Sequence, residues 1–358
     1  MLISECPICQ AVIQPLDRFC EACGNALAVV STVSCCPRCQ APGDAIDSEG
    51  YCGQCGFQVN CSRSREPDDR VELTLGFSLA GISDRGLVHT RNEDAIALAS
   101  VDGTSILVVC DGVSSSLNPH MASQTAAQTI CQVLTATAPS GIHPTSALQR
   151  AMAQAQAAVA ALAPVKFYDA KHNNARYNGR LDEMTTLLDP PSTTGVAAIV
   201  QAGMATIGWL GDSRAYWVPA RRADRAAAGQ GADHSAAQQL TEDDSWINTQ
   251  AREGQGAEAS EASHAHVITR WLGADAPNSN PSILTVHLRD PGYLILCSDG
   301  LWNYLQDAAH LANLLASAMQ ANANSGAAEL AQHLVNYARS QGGYDNITVA
   351  IFVASLVA

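Results

Sequence analysis

The stretch "LILCSDGLWN" (294–303) is an apolar run that ends abruptly in the dipeptide Asp-Gly. The same pattern occurs much earlier in the chain, in "ILVVCDGVSS" (106–115). Short runs of aliphatic and β-branched residues predict buried strands, so each strand should carry a carboxylate at its end. A single Asp-Gly is typical of an ordinary turn. Its repetition at the ends of two such strands points to a shared chemical purpose.

Further acidic residues end or begin apolar strands in the same way. The full set is Asp94, Asp111, Asp212, Asp299 and Asp345. If the fold brings these residues together, they cannot all stay ionised unless cations neutralise them. Oxygen ligands without histidine or cysteine favour Mg²⁺ or Mn²⁺ over zinc. A glycine beside a carboxylate would let backbone carbonyls approach the bound ion. The sequence therefore predicts a cluster of divalent cations.

The strands of the C-terminal region are joined by turns of two or three residues, which only antiparallel hairpins allow. Four helices are predicted in two pairs, near 118–137, 145–163, 307–320 and 326–341. This order predicts an α+β fold, a four-layer αββα sandwich of two antiparallel sheets flanked by helix pairs. The polar segment 164–191 is predicted to be a long loop, and 219–237 and 250–264 to be flexible flaps.

The N-terminal segment contains most of the thirteen cysteines, arranged as four C-x-x-C pairs. The first two pairs are Cys6, Cys9, Cys20 and Cys23, and the next two are Cys36, Cys39, Cys52 and Cys55. Two such pairs form a tetrahedral set of thiolates for one structural Zn²⁺. Cys35 is an alternative ligand to Cys36, and Cys61 is left over. We expect zinc ribbons at 1–30 and 31–61, a linker at 62–70 and a catalytic domain at 71–358.

Composition excludes several classes of function. The formal net charge is −14 and the sequence pI is about 5.0, so the surface should repel nucleic acid. The chain has neither an apolar run long enough to cross a membrane nor a secretory signal, and the paired cysteines suggest a reducing compartment. A cytoplasmic protein without membrane or nucleic-acid partners is expected.

The chain resembles the type-2C, or PPM-type, metal-dependent Ser/Thr protein phosphatases of bacteria over about 76–356. The motifs that carry the resemblance occur in the family's order: "GLVHTRNEDA" (86–95), "VVCDGVSSS" (108–116), "STTGVAAI" (192–199), "GWLGDSRAYW" (208–217), "QLTEDDSW" (239–246), "LILCSDGLW" (294–302) and "GGYDNITVAIF" (342–352). The resemblance implies hydrolysis of phosphoserine and phosphothreonine by a metal-bridging hydroxide, opposing a Ser/Thr kinase. Phosphorylated proteins would then be the substrates.

The resemblance also implies the ligands of two Mn²⁺ or Mg²⁺ ions. Asp111 would bridge both ions and Gly112 would offer its carbonyl oxygen. Asp299 and Asp345 would complete the pair, and Asp94 would bind directly or through water.

Three further roles are implied by the same resemblance. Asp212 matches a position associated with a third, weaker ion in bacterial members. Glu93 would orient metal-bound water, and Asn346 and Thr194 would support the ligands.

Two positions depart from the family pattern. The family usually places an arginine four residues before the glutamate of N-E-D, where this chain has His89. Either Arg91 reaches the substrate phosphate, or His89 contacts the phosphate or the leaving group, or His89 only hydrogen-bonds locally. Asp244 stands where a histidine is common, near the expected flap, and should affect substrate access without affecting the metals.

Two other classes of function stay open at this stage. A catalytically weak sensor would bind phosphoproteins, or a partner of the zinc ribbons, without turnover, and His89 supports that alternative. A nucleic-acid adaptor would need salt-dependent retention of DNA or RNA, which the acidity opposes. The ribbons themselves either recruit a protein partner or form a stable cap without a ligand.

Overall fold

The computed structural model describes residues 41–42, 69–163, 189–220, 237–252 and 267–355. The chain divides into two compact units, Met1–Ser64 and Arg65–Ala358. The predicted zinc ligands, most of the linker, most of the polar loop 164–191 and most of both flaps lie outside the described residues. Arg70, assigned to the linker from sequence, is the first residue of a strand, and Asp69 before it is buried.

Thirteen strands occur in the described part of the chain. They are β1 (Arg70–Leu75), β2 (Leu79–Asp84), β3 (Asp94–Val101), β4 (Thr104–Asp111), β5 (Ser192–Thr193), β6 (Gly195–Gln201), β7 (Met204–Leu210), β8 (Arg214–Pro219), β9 (Gln238–Gln239), β10 (Leu272–Gly273), β11 (Ser282–His287), β12 (Gly292–Cys297) and β13 (Ile347–Ala354). All named strand pairs are antiparallel. They form a six-stranded sheet in the order β1-β2-β13-β12-β8-β9, a five-stranded sheet in the order β11-β7-β6-β4-β3, and a short β10-β5 pair.

The described α-helices lie where the apolar periodicity predicts them, with two short additions. They are α1 (Pro119–Thr137), α2 (Pro144–Ala160), α3 (Trp246–Arg252), α4 (Asp299–Trp302), α5 (Ala308–Ala321) and α6 (Ala327–Ser340). Prolines at the first positions of α1 and α2 start those helices without wasting a backbone donor. None of the helices in the described ranges has both the length and the apolar character needed to cross a bilayer.

Both faces of the central strands are buried. On β4, Ile106 and Val108 pack in an apolar layer with α1 and α2, whereas Leu107 and Val109 pack in a layer with the six-stranded sheet. On β12 the same alternation sends Ile295 toward α5 and α6. Strands buried on both faces read as continuous apolar runs, which explains the stretches that end in Asp-Gly. This confirms the predicted α+β fold of antiparallel sheets flanked by helices.

Candidate metal centre

The end of β4 and the start of β3 bring two of the acidic residues together. Asp94 and Asp111 are direct cross-strand partners in the antiparallel register. Two threonines of the adjoining segment fix the backbone of Asp111. The Thr194 amide donates to the Asp111 carbonyl oxygen at 2.8 Å, and the Thr193 hydroxyl donates to the same oxygen at 2.8 Å. The Asp111 amide in turn donates to Thr194 Oγ1 at 3.2 Å.

The six-stranded sheet supplies the other carboxylates from the opposite side. Asp299 is the first residue of α4, immediately after β12, and Asp345 lies two residues before β13. The Ser298 hydroxyl donates to Asp94 Oδ2 at 2.7 Å, so one hydrogen bond joins the carboxylate-bearing ends of the two sheets. Residues from four distant segments thereby meet at one site.

Burial and mutual repulsion raise the pKa values of these carboxyl groups. Burial raises the pKa of Asp94 to about 7, and the charges of Asp299 and Asp345 add to the shift. The pKa of Asp299 also rises to about 7, through burial and then the charges of Asp345 and Asp212. Burial followed by repulsion from Asp94 raises the pKa of Asp111 well above its usual range. Each of these shifts includes repulsion from other acidic residues of the set. The carboxylates therefore lie close enough to interact, as expected from the sequence.

Asp212 belongs to the same electrostatic group. Its pKa rises to about 6, chiefly through burial and then through the charge of Asp243. Its own charge raises the pKa values of Asp111 and Asp299. Its backbone carbonyl oxygen accepts a 3.0 Å hydrogen bond from the Trp302 indole of α4, which fixes it beside Asp299.

The donor set fits hard divalent cations. Asp94 Oδ1 is buried and lacks a hydrogen-bond partner among the described residues, which is costly unless a cation occupies the site. Within the same residues, no three histidine, cysteine or acidic side chains converge into a ready-made cage for one ion. Mg²⁺ usually binds through one or two carboxylates and keeps several waters. Carboxylates spread around a shared space therefore fit hydrated Mg²⁺ or Mn²⁺ better than a closed structural metal.

The glycines beside the carboxylates serve close backbone packing. A Cβ atom at Gly112 would lie 2.6 Å from the Pro119 carbonyl oxygen and 2.7 Å from that of Glu93. A Cβ at Gly300 would collide with the carbonyl oxygen of Asn346. These contacts draw the start of α1 and the segment before β13 against the carboxylate-bearing turns. Close backbone packing is therefore a structural reason for glycine at these positions, beside the predicted access of a carbonyl oxygen to an ion.

Asn346 organises the segment that carries Glu93. Its side-chain oxygen accepts from the Glu93 amide at 2.7 Å, and its side-chain nitrogen donates to the carbonyl oxygens of Arg85 and Arg91 at 2.8 and 3.0 Å. Glu93 Oε2 then accepts a 2.7 Å hydrogen bond from the exposed Ser114 hydroxyl. These side-chain contacts all go to backbone groups, so Asn346 fixes the loop between β2 and β3.

Comparison with known proteins agrees with this arrangement. The family described as "Protein phosphatase 2C" matches residues 87–336. The chain belongs to the protein phosphatase 2C family. The matched range contains every acidic residue of the cluster except Asp345, which follows it closely.

Similar proteins within the protein phosphatase 2C family include PstP of Mycobacterium tuberculosis, described as a serine/threonine protein phosphatase. This relative is 25% identical over 281 residues, covering 78% of this chain and 46% of PstP. The chain thus spans about half the length of that curated relative. A crystal structure of the M. tuberculosis PstP phosphatase has a TM-score of 0.52 at 26% identity, covering 76% of this chain and 96% of the other. The PstP catalytic domain in complex with two manganese ions has a TM-score of 0.54 at 26% identity, covering 77% and 98%.

The two basic residues weighed as substitutes for the 2C phosphatase arginine have different surroundings. His89 Nε2 lies 3.2 Å from Asp345 Oδ1, so the imidazole contacts the carboxylate cluster. The exposed guanidinium of Arg91 lies 3.1 Å from the ring nitrogens of His120, at the start of α1. Sequence reasoning missed His120, whose only signal is its place in the first turn of a helix that follows the Asp111-Gly112 turn.

Two adjacent acidic residues outside the cluster lie in the loop before α3. Asp243, which sequence reasoning did not single out, forms a bidentate pair with Arg214 at 2.9 and 2.7 Å. Asp244 accepts a hydrogen bond from the amide of Gly211, next to Asp212. The expectation that Asp244 affects substrate access without affecting the metals stays a prediction, and the structure adds that Asp244 contacts the turn that carries Asp212.

The two cysteines nearest the acidic turns are core residues. Cys110 and Cys297 are fully buried, and neither forms a disulfide with another described residue. Burial raises the pKa of both thiols, which disfavours the thiolate that a nucleophile needs.

The metal-free protein is expected to lose thermal stability as the pH rises. The folded-state pKa values of Asp94 and Asp299, about 7, lie above the ordinary value of 3.8. Their contribution to stability is therefore fully present below the ordinary value and is lost as the pH rises through the folded value. Thermal unfolding of metal-free protein near pH 6 and pH 8 should give the lower melting temperature at the higher pH.

The Asp111→Asn variant is the matched comparison for that measurement. It removes one repelling charge and leaves the rest of the chain unchanged. The fall in melting temperature between pH 6 and pH 8 should therefore be smaller in this variant. A metal-free protein that melts at the same or a higher temperature at the higher pH would contradict the electrostatic account of the cluster.

Proposed function

We propose that this chain is a Mn²⁺- or Mg²⁺-dependent phosphoprotein phosphatase that hydrolyses phosphoserine and phosphothreonine. The supporting observation is the set of buried, mutually repelling carboxylates from both sheets, with the unpartnered oxygen of Asp94 among them. Its membership of the protein phosphatase 2C family and its similarity to PstP support the same function. A catalytically weak sensor is less favoured, because a binding module has no need for this costly cluster.

Within this proposal the chain's own residues have distinct tasks. Asp111 and the carbonyl of Gly112 hold the ions from the five-stranded sheet, and Asp299 and Asp345 hold them from the six-stranded sheet. Asp94 binds directly or through water. When bound, the divalent ions lower the pKa of water and neutralise the phosphoryl oxygens.

The remaining residues of the proposal orient groups around those ligands. Asp212 holds a weaker third ion. Glu93 would orient a water molecule at the site, and its carboxylate accepts a hydrogen bond from the Ser114 hydroxyl. Asn346 keeps Glu93 in place through the Glu93 amide.

Removing one cluster charge should abolish turnover. Asp111→Asn and Asp299→Asn are each expected to lower kcat/KM on a phosphothreonine peptide by about 100-fold or more, since charge stabilisation in the transition state is lost. Chelation of the wild-type protein should stop turnover and added Mn²⁺ should restore it.

The exposed Asp290→Asn is the matched control for that experiment, because Asp290 lies in the turn before β12, at the opposite end of that strand from Asp299. It should keep wild-type turnover. Unchanged activity in either cluster variant would refute the metal assignment.

For the substrate phosphate, we assign the contact to Arg91. Its guanidinium is exposed and lies against His120, whereas the His89 imidazole is engaged with Asp345. The Asn346 side chain holds the Arg91 carbonyl, so the backbone of Arg91 is fixed beside Glu93. Of the three alternatives open from sequence, this one gives the phosphate a cation not already taken by a carboxylate.

Arg91→Ala is expected to raise KM for a phosphopeptide about tenfold, the cost of one charged hydrogen bond. His89→Ala should change KM less. Arg289→Ala, in the exposed turn before β12, is the matched control. Steady-state kinetics with saturating Mn²⁺ measures all three. If His89→Ala raises KM and Arg91→Ala does not, the phosphate contact belongs to His89.

We also propose that the N-terminal cysteines form two structural zinc ribbons that recruit a protein partner or cap the chain. Four thiolates per site leave no open position for chemistry. The wild-type chain should contain two zinc ions by mass spectrometry. It should retain both under mild chelation that is sufficient to stop catalysis.

Ligand variants test the cysteine assignment. Cys9→Ser should lose one zinc ion, while Cys61→Ser, the matched control, should keep both. Comparison of Cys35→Ser with Cys36→Ser decides between those two neighbours. A chain that carries no zinc when freshly purified would overturn the ribbons without affecting the catalytic proposal.

The partners and compartment follow from the same proposal. Phosphoproteins modified by a Ser/Thr kinase are the proposed substrates, and a cytoplasmic location suits the free thiolates that the ribbons require.

A further inference from the structure

Asp244 is a charged residue with no exposed surface in a protein whose charged side chains are mostly solvated. Both of its carboxylate oxygens have partners. Oδ2 accepts from the Gly211 amide at 3.1 Å, and Oδ1 accepts from Arg270 at 3.0 Å. Arg252, at 3.7 Å from Oδ1, adds a second positive charge. Asp244 therefore forms a buried ion pair outside the metal cluster, in which both carboxylate oxygens have partners and Arg270 Nε has none among the described residues.

Asp244 and Gly211 are joined by two hydrogen bonds, and each residue donates one of them. The Asp244 amide donates to the Gly211 carbonyl oxygen at 2.9 Å, while the Gly211 amide donates to the Asp244 carboxylate. Gly211 has φ of +99°, and a Cβ there would lie 2.7 Å from the Thr194 side chain. Thr194 is the residue that fixes the backbone of Asp111. The turn is thus held between Asp244 on one side and the Asp111 support on the other.

The residue that follows this turn is Asp212. Its carbonyl oxygen is held by Trp302, and the Trp302 ring is covered by the Arg214 guanidinium at 3.7 Å. Arg214 in turn pairs with Asp243, the neighbour of Asp244. Asp244 therefore fixes Asp212 through its preceding residue, Gly211. Asp243, next to Asp244, fixes the Asp212 carbonyl through Arg214 and Trp302.

We propose that Asp244 is a positioning residue that holds the Gly211–Asp212 turn and so sets the affinity of the Asp212 carboxylate for its divalent cation. This inference rests on the proposed function, in which Asp212 holds the weaker third ion. The Asp244 carbonyl also accepts from the Thr269 amide at 2.8 Å. Arg252, the last residue of α3, and Thr269 therefore both contact Asp244.

The chemistry requires a carboxylate here. Asparagine is nearly the same size but has only one acceptor oxygen, so it can satisfy either Gly211 or Arg270 and must turn its NH₂ group toward the other. A buried donor then faces a donor, which is costly. If the asparagine of the Asp244→Asn variant keeps its bond to Arg270, it releases the Gly211 amide and the Asp212 turn loosens.

The test measures Mn²⁺ dependence in the full chain. Asp244→Asn should raise the Mn²⁺ concentration for half-maximal phosphopeptide turnover about tenfold, typical of losing a residue that orients a metal ligand. The kcat at saturating Mn²⁺ should stay close to that of the wild type. Electron paramagnetic resonance of free Mn²⁺ should show the same weakening in a binding titration without substrate.

A double-mutant cycle shows whether the effect passes through Asp212. Asp212→Asn alone should weaken the same binding step, and Asp244→Asn should add nothing to it, because interacting residues are not additive. Asp290→Asn is the surface control and should bind Mn²⁺ as the wild type does. Additive effects in the cycle, or an unchanged Mn²⁺ titration for Asp244→Asn, would overturn the inference.

A second variant covers the case in which Asp244→Asn fails to fold. Asp244→Asn combined with Arg270→Met removes both charges of the pair, which is often tolerated. It also frees the asparagine oxygen to accept from Gly211, so Mn²⁺ affinity should return toward that of the wild type. A folded double variant that binds Mn²⁺ about tenfold more weakly would contradict the role of the Gly211 contact. If the wild-type chain shows no Mn²⁺-dependent turnover, the proposed function fails, whereas the binding titration still judges Asp244.

Discussion

Repulsion among buried carboxylates is the constraint on which the rest of this structure depends. Asp94, Asp111 and Asp299 are drawn out of water and placed within reach of one another's charge, and each has a raised pKa as a result. Such an arrangement costs free energy unless protons or cations neutralise it. The fold supplies the compensating stability from three apolar layers that bury both faces of the two sheets.

Backbone contacts, more than side-chain pairing, keep the acidic turns in position. Asn346 binds three backbone groups of the segment that precedes β3, and Thr194 binds both backbone groups of Asp111. Glycine at positions 112 and 300 allows the neighbouring chain to approach more closely than any side chain would permit. Within the described residues, Asp94 Oδ1 is left without a hydrogen-bond partner and is available for a cation or water.

The departures from the 2C phosphatase pattern fall around this frame and leave its carboxylates in place. His89 contacts Asp345 on one side of the cluster, and Arg91 with His120 supplies positive charge at the start of α1. Asp244 replaces a histidine with a buried anion that is balanced by Arg270. In our proposal, Arg91 holds the substrate phosphate and Asp244 sets the affinity of Asp212 for its cation.

Sequence by itself determined the strands, the helix pairs and the aspartates at the strand ends. Apolar periodicity and the Asp-Gly turn signal depend only on neighbouring residues, so the sequence is enough to find them. It singled out Asp94 and Asp111 as candidate metal ligands, and the family motifs gave their order. It could not give the contact of His89 with Asp345, the Arg91–His120 contact or the hydrogen bonds between Asp244 and Gly211. Those contacts join residues that are distant in the sequence, and only the packing of strands, helices and loops against one another decides which side chains meet.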